Sequence, residues 1–160
     1  MDAVRFRCSS ASEVEPPACR PVDGPLDRAE HHRIRRQVFV VEQQLFADDD
    51  VDVHDTAAAT VHVLGFDDGV PAGTVRLFPV GDNIWKGDRL AVLPGHRHSG
   101  LGPPLVRFAV ATAGALGGSL MVAQIQAGNV RFFQALGWTT MGAPADYLGR
   151  LHQQMSIELR

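Results

Sequence analysis

The chain of 160 residues lacks the features that mark a membrane protein, a disulfide scaffold or a nucleic-acid-binding protein. Its two cysteines, Cys8 and Cys19, form neither a disulfide framework nor a C-x-x-C zinc or redox pair. No apolar run approaches the roughly 18 residues of a membrane span. Acidic residues and prolines stand in the first twenty positions, where a signal peptide needs an apolar block. We therefore expect a cytoplasmic protein without a membrane partner.

The chain also has no large excess of charge of one sign. Fifteen Lys plus Arg against 18 Asp plus Glu leave a net charge of −3, which creates no positive field for a nucleic-acid backbone. The apolar fraction of 45% and the length fit one domain that buries about two-thirds of its unfolded surface. We expect residues 1–160 to form that domain, with prolines and serines making residues 9–25 an irregular loop after a first strand at residues 4–8.

The pattern of apolar and turn residues predicts a single α/β domain with a mixed sheet of six to seven strands. Asp27 with Glu30 predicts the start of a helix over residues 28–44, bent near Phe39. The turn Asp67-Asp68-Gly69 predicts a hairpin. A strand, a helix and a strand then follow in the order that requires a parallel crossover. The predicted later elements are strands at 57–66, 70–80, 89–93, 120–126 and 153–159, a helix at 103–116 and a short helix after Asn129.

A glycine-containing loop between a strand and a helix carries the clearest chemical signal, Arg97-x-x-Gly100-x-Gly102. Backbone N–H groups of such a loop and the following helix N-terminus converge on one point, which suits a phosphate. A tight connection that binds nothing explains the loop about equally well. Pro103 and Pro104 follow in place of the third glycine of a dinucleotide fingerprint, so a nicotinamide enzyme is not expected.

Together, this loop and two further motifs resemble the GCN5-related N-acetyltransferases (GNAT superfamily). The motifs are Leu90-x-Val92 before the loop and Asn129 followed by Phe132-Phe133-x-x-x-Gly137-Trp138 after it, covering about residues 60–140. Residues 35–43 also look like the first helix of a bacterial subgroup. The resemblance implies an acyl-CoA N-acyltransferase fold, a mostly antiparallel sheet that splays between its parallel fourth and fifth strands, here residues 89–93 and 120–126.

Acetyl-CoA is the cosubstrate that this resemblance implies, with no metal. The backbone of Leu90 and Val92 would pair with the pantetheine arm, and the arginine of the loop would bind the pyrophosphate. Asn129 and Phe132 would line the far side of the cofactor. The pyrophosphate site would comprise Arg97 and the amides of His98, Ser99, Gly100, Leu101 and Gly102.

Two departures from the family pattern affect these roles. Pro103 and Pro104 remove two N–H donors from the first turn of the helix that should face the pyrophosphate. Phe133 stands where many relatives have a tyrosine that protonates the departing thiolate, and a phenyl ring cannot do that. Three alternatives stay open: another acid serves, the thiolate leaves unprotonated, or the enzyme is slow or inactive. Tyr147, the only tyrosine of the chain, is the candidate for another acid.

The acceptor side is predicted from fewer signals. Glu42 is the first general-base candidate, because the first helix of the implied fold walls the acceptor cleft, and His152 is another catalytic candidate. Arg76 and Asp55 are candidate substrate contacts, and a structural hydrogen bond is the alternative for each. An acidic run at residues 48–55 would favour a cationic acceptor if it borders the cleft. It lacks the glycine and terminal glutamate of a calcium loop, so no metal is assigned.

The expected function is direct transfer of an acetyl group from acetyl-CoA to the primary amine of a small molecule by a GNAT-type N-acetyltransferase, either a monomer or a homodimer. Two alternatives stay open. The first is an acyltransferase like the acyl-homoserine-lactone synthases, which Arg35-x-x-x-Phe39, Asp52-x-x-Asp55 and Gly73-Thr74-Val75-Arg76-Leu77 resemble, although Leu45 replaces the expected tryptophan. The second is a catalytically silent acyl-CoA-binding module, which Phe133 permits.

Overall fold

A mixed sheet of eight strands forms the centre of the structure, a computed structural model that describes residues 18–160. The spatial order is β1-β2-β3-β4-β5-β8-β6, and β7 pairs with β8. Only β4 and β5 pair in parallel. The strands are β1 Ala18–Pro21, β2 Val61–Asp67, β3 Val70–Gly81, β4 Ile84–Val92, β5 Leu120–Gln126, β6 Thr139–Thr140, β7 Ala145–Tyr147 and β8 Arg150–Glu158.

The predicted α/β class, the mixed sheet and the parallel pair are confirmed, whereas the strand count is eight instead of six or seven. The additional strands are short. One of them, β1, lies inside the stretch predicted to be irregular, so that prediction is wrong for residues 18–21. Among the described strands β1 bonds only to β2, and a strand at an edge tolerates Pro21, which lacks an N–H. The strand predicted at residues 4–8 lies outside the described residues.

The first helix, α1 (Gly24–Arg35), continues as a π-helical segment over Arg36–Glu42. The predicted bend near Phe39 falls within that wider segment. The helix begins earlier than predicted, since Asp23 and not Asp27 is its N-cap residue. The Asp27 carboxylate instead accepts a hydrogen bond from the Asp23 N–H at 2.9 Å.

Strands β4 and β5 pair only over Ile84 to Lys86 and Leu120 to Val122, and then separate. The predicted fourth strand, residues 89–93, captured only the end of β4, because Lys86, Gly87 and Asp88 interrupt its apolar pattern. Helix α2 (Gly102–Ala115) connects the two strands, and the short helix α3 (Val130–Ala135) follows β5. The splay therefore leaves part of the inner edges of β4 and β5 without a strand partner.

Apolar side chains pack on both faces of the sheet. The larger cluster, which includes Leu105, Met121 and Met155, lies between the sheet, α2 and α3. The smaller one packs Ile34 and Val38 of the first helix against the other face. Within residues 18–160, no helix is both long and apolar enough to cross a membrane.

Candidate active site

A cavity of about 150 Å³ lies where β4 and β5 separate. Its lining comes from both faces of the sheet, so it passes through the gap between the two strands. On the α2 side it is apolar, with Val106, Ala109, Met121, Ala123, Phe133 and Trp138. On the side of the first helix, Phe39, Leu45 and Phe46 stand beside a polar wall. The residues of this polar wall are Gln43, Lys86, Asp88, Gln124, Gln126 and His152.

The end of β4 offers backbone groups to the gap. The Leu93 N–H donates to the Ala72 carbonyl of the preceding hairpin at 2.8 Å. Because hydrogen-bonded and non-bonded pairs alternate in an antiparallel ladder, the peptide groups of Val92 face the other way, toward the gap. The Val92 carbonyl accepts a hydrogen bond from Nε of Arg97 at 3.1 Å, and Leu90 lines the cavity.

The loop before α2 is a 3-10 turn over Pro94–Ser99, followed by Gly100 at φ +76°. A residue in this left-handed region is most easily glycine. Helix α2 begins at Gly102, so Pro103 and Pro104 occupy its first turn. The backbone N–H groups that stay available at this helix end are therefore those of Leu101 and Gly102.

The side chains of Ser99 and Leu101 in this loop already have partners within the protein. The Ser99 hydroxyl donates to the His96 carbonyl at 2.6 Å, whereas the His98 side chain is exposed. The Leu101 side chain is 1% exposed and packs in the core, so only its backbone is available to a ligand. A Cβ on Gly102 would lie 3.3 Å from the Phe132 ring, which places α3 beside the start of α2. Asn129 lines the cavity at the same end of α3.

Glu42 and Arg97 form an ion pair through both carboxylate oxygens. The bond from Arg97 lowers the pKa of Glu42, and Glu42 in turn raises the pKa of Arg97. Glu42 is also absent from the cavity lining. This geometry favours a structural role for Glu42 over the predicted role of general base, because its carboxylate is a weaker base than usual and already has a cationic partner.

His152 lies in the cavity wall and is 6% exposed. Its Nδ1 lies 2.9 Å from the Arg150 carbonyl, and a carbonyl oxygen can only accept a hydrogen bond. Nδ1 therefore carries a proton, which leaves Nε2 as the acceptor of the neutral ring. Tyr147 also lines the cavity, with its ring edge-on to that of His152 and the centroids 5.2 Å apart.

Two glutamines that the sequence analysis missed join the two sides of the polar wall. Nε2 of Gln126 donates to Oε1 of Gln43 at 2.9 Å, and Gln126 stands opposite His152 in the β5–β8 register. Cross-strand partners share a face of the sheet, so both side chains reach the same wall. No local motif marks either glutamine, because the pairing joins residues far apart in the chain.

Arg76 is buried away from the cavity. Its guanidinium donates to Asp52 at 2.7 and 3.0 Å and to Asp88 at 2.8 and 2.7 Å. Burial alone would lower the pKa of Arg76, but these carboxylates raise it. These contacts favour the structural alternative for Arg76 over a contact with the acceptor, since its donors are directed at aspartates of the protein itself.

Asp55 likewise has partners within the protein. Arg35 donates to its carboxylate at 2.6 and 3.1 Å, and His62 lies 3.1 Å away. Burial would raise the pKa of Asp55, but the bonds from Arg35 and from the Asp52 backbone hold it well below its usual range. Asp55 does not line the cavity, and neither does the rest of the run at residues 48–55. The run therefore gives no support to a cationic acceptor.

No group of three or more His, Cys, Asp or Glu side chains among the described residues is arranged to hold a metal ion.

Solved structures share this architecture. A provisionally assigned N-acetyltransferase from Lactobacillus plantarum superposes with a TM-score of 0.80, covering 91% of this chain and 100% of the other at 23% identity. A CoA-dependent acyl-homoserine lactone synthase, BjaI, solved with SAM and isopentyl-CoA, has a TM-score of 0.68, covering 82% and 75% of the two chains at 20% identity. These likenesses concern the fold.

Sequence comparison identifies the family. A protein of Bacillus subtilis (strain 168), provisionally named an acetyltransferase, is 32% identical over 108 residues, which are 67% of this chain and 73% of the relative. The acetyltransferase (GNAT) family matches residues 26–138, which include the first helix, the loop before α2 and the Phe132-Phe133 motif. The chain therefore belongs to the GNAT family of acyltransferases.

Proposed function

We propose that the protein transfers an acyl group, in the first instance acetyl from acetyl-CoA, to the primary amine of a small molecule by direct attack. One observation carries this proposal: a single cavity connects the unpaired end of β4 with the imidazole of His152. A thioester is already reactive. It therefore needs orientation beside a neutral amine, a base for the amine proton and a donor for the developing oxyanion.

The donor binds along β4 and the loop before α2. The backbone of Leu90 contacts the pantetheine arm on the unpaired edge, and the Val92 N–H faces the thioester carbonyl oxygen, where it is the donor for the developing oxyanion. Arg97 and the N–H groups of Leu101 and Gly102 bind the pyrophosphate at the N-terminus of α2, a helix of 14 residues. Asn129 and Phe132 flank the donor from the side of α3.

The acceptor binds at the polar wall. Nε2 of His152 takes a proton from the amine, whose nitrogen attacks the thioester carbon. The C–S bond then breaks to give the amide and the CoA thiolate, and the displaced proton restores the thiol. Because Phe133 has no proton to give, Tyr147 in the same wall is the candidate acid: its phenolic proton goes to the thiolate, and the proton held by His152, whose ring is adjacent, restores the phenol. Gln43 and Gln126 supply amide groups to hold the acceptor.

The test is turnover with a panel of small primary amines. Thiol release is followed after subtraction of spontaneous hydrolysis, and the N-acyl product is identified by mass. The proposal expects amine-dependent thiol release with one acylated product per thiol. Saturable acetyl-CoA binding without turnover on any amine would instead support the silent acyl-CoA-binding module.

One structural observation supports the second enzymatic candidate, an acyltransferase like the acyl-homoserine-lactone synthases. Four of the residues on which the resemblance to acyl-homoserine-lactone synthases rests meet in one ion-pair network: Arg35, Asp55 and Arg76, which are buried, and Asp52, which is half-buried. This candidate expects a lactone or an acylated adduct when the protein is incubated with acyl-CoA and S-adenosylmethionine. Absence of both products while other amines are acylated would remove it.

A further inference from the structure

Strand β4 contains a bulge at the point where it leaves β5. Thr74 pairs with Ala91 and Arg76 pairs with Asp88, so Val75 alone stands opposite both Arg89 and Leu90. Arg89 has φ +52°, in the left-handed region that non-glycine residues rarely adopt. Such bulges bend a strand and redirect its side chains.

The bulge changes the face to which β4 side chains point. Before it, Trp85 packs in the cluster on the α2 side. After it, Ala91 packs in the cluster under the first helix, while Leu90 and Val92 face the α2 side. Leu90 lines the cavity as a result. The residues expected to contact the acyl donor thus depend on the backbone conformation at Arg89.

Asp50 makes the shortest contacts to the side chain of Arg89. Nε of Arg89 forms an ion pair with the Asp50 carboxylate at 2.9 Å, without hydrogen-bond geometry, and Nη2 donates to the Asp50 carbonyl at 2.9 Å. The contacts of the same guanidinium to Asp52 and Asp88 are longer, at 3.4 and 3.5 Å. The guanidinium carbon also stands 4.9 Å from the centre of the Phe46 ring. On the backbone side, the Thr74 hydroxyl donates to the Arg89 carbonyl at 2.8 Å.

Asp50 is itself immobilised. It is 2% exposed, and its carboxylate accepts a hydrogen bond from Nε of Arg35 at 2.7 Å. Arg35 ends α1 and is fully buried. One carboxylate therefore links the first helix to the bulge, although neither Asp50 nor Arg35 lines the cavity.

We propose that Asp50 is a positioning residue, which through Arg89 holds the β4 bulge and so presents Leu90 and Val92 to the acyl donor. The inference rests on the proposed function for its catalytic consequence. The bulge itself is a property of the fold and can be measured separately.

Four variants test it: Asp50→Asn, Arg89→Ala, Arg89→Gly and, as the matched control, Asp49→Asn. The Asp49 carboxylate is exposed, and among residues 18–160 it accepts a hydrogen bond only from the nearby Val51 N–H. Asp50→Asn and Arg89→Ala lower kcat by about tenfold or more and leave KM for acyl-CoA within about twofold. The reason is that both loosen the Val92 N–H, whose bond to the developing oxyanion forms in the transition state. Arg89→Gly exceeds Arg89→Ala by roughly fivefold in kcat, since glycine adopts φ +52° without strain. Asp49→Asn matches the wild type.

Hydrogen exchange provides a readout that does not depend on turnover. Asp50→Asn accelerates amide exchange in residues 87–93 of the folded protein, and Asp49→Asn does not. Equal kcat for Arg89→Gly and Arg89→Ala, or unchanged exchange at residues 87–93 in Asp50→Asn, overturns the proposal. If the wild type transfers no acyl group while Asp50→Asn still accelerates exchange, the proposed function fails and the positioning of the bulge stands.

Discussion

Glu42 and Arg97 form a two-point ion pair that joins the end of the first helix to the loop before α2, with N···O distances of 2.7 and 2.5 Å. Arg97 also donates to the Val92 carbonyl at 3.1 Å. Its guanidinium is therefore held beside the unpaired edge of β4 before any ligand arrives. The same contact means that a pyrophosphate must compete with the Glu42 carboxylate for this cation.

Glu42→Gln is expected to tighten CoA binding by about twofold to fivefold, because it removes a partly exposed ion pair of modest strength. The measurement is calorimetric titration with CoA, with Glu30→Gln as the control, since Glu30 pairs with Arg33 on the exposed face of α1. Binding of S-acetylpantetheine, which lacks the pyrophosphate, should not change. A large loss of kcat with an altered pH profile in Glu42→Gln would contradict this and restore Glu42 as the base.

His152→Gln is expected to lower kcat by about two to four orders of magnitude, the usual contribution of a positioned general base. KM for acyl-CoA should change little, since His152 lies on the acceptor side. His54→Gln is the matched control, because that ring stacks on Phe78 and is not part of the cavity wall. Steady-state thiol release measures both. Unchanged kcat in His152→Gln would exclude the assigned role.

Ala109→Leu is expected to restrict the acyl group that the protein accepts. Ala109 and Met121 line the apolar side of the cavity, and Met121 stands opposite Trp85 where β4 and β5 are still paired. A larger side chain there should lower kcat/KM for hexanoyl-CoA relative to acetyl-CoA by about tenfold, the value of roughly two lost methylene contacts. Ala111→Leu on the exposed face of α2 is the control. An unchanged ratio would mean that the acyl chain does not reach Ala109.

Acid should destabilise the protein through His31. Burial, aided by Arg35 and His62, lowers the pKa of His31 from 6.5 to about 3. Between these values the unfolded chain binds a proton that the folded protein does not, so stability falls as the pH falls. His31 contributes a loss of about 1.4 kcal/mol in the free energy of unfolding per pH unit below 6.5.

His31→Gln retains an N–H donor for the Val75 carbonyl and does not titrate. Urea unfolding between pH 6.5 and 4.5 should therefore show a shallower decline for this variant than for the wild type. His98→Gln in the exposed loop should follow the wild type. Parallel pH slopes for His31→Gln and the wild type would show that His31 titrates normally.

Local patterns predicted the elements that surround the proposed donor site. Arg97, Gly100 and Gly102 predicted the loop before α2, and Asn129 with Phe132 predicted α3, since both motifs lie within a few consecutive residues. Local patterns did not predict the residues of the polar wall at which the acceptor is proposed to bind. Gln126 meets His152 only through the β5–β8 register, and Gln43 reaches Gln126 from the first helix. Long-range pairing of this kind leaves no local signal.

The charged residues show the same limit. Glu42 and Arg76 carry charges that suit a catalytic or substrate-binding role, and sequence alone cannot show that each already has an ionic partner. The partners lie at Arg97 and at Asp52 and Asp88, between 12 and 55 residues away in the chain. Partners so distant in the chain leave no local signal in the sequence.

Titration of the folded wild-type protein with acetyl-CoA, beside Arg97→Ala of confirmed folding, tests the central claim most directly. The account predicts saturable binding at one site per chain, weakened by about tenfold in Arg97→Ala, which loses a charge-assisted contact to the pyrophosphate. Absence of binding by the folded wild type, or equal affinity in the two proteins, would contradict the placement of an acyl-CoA donor on the loop before α2.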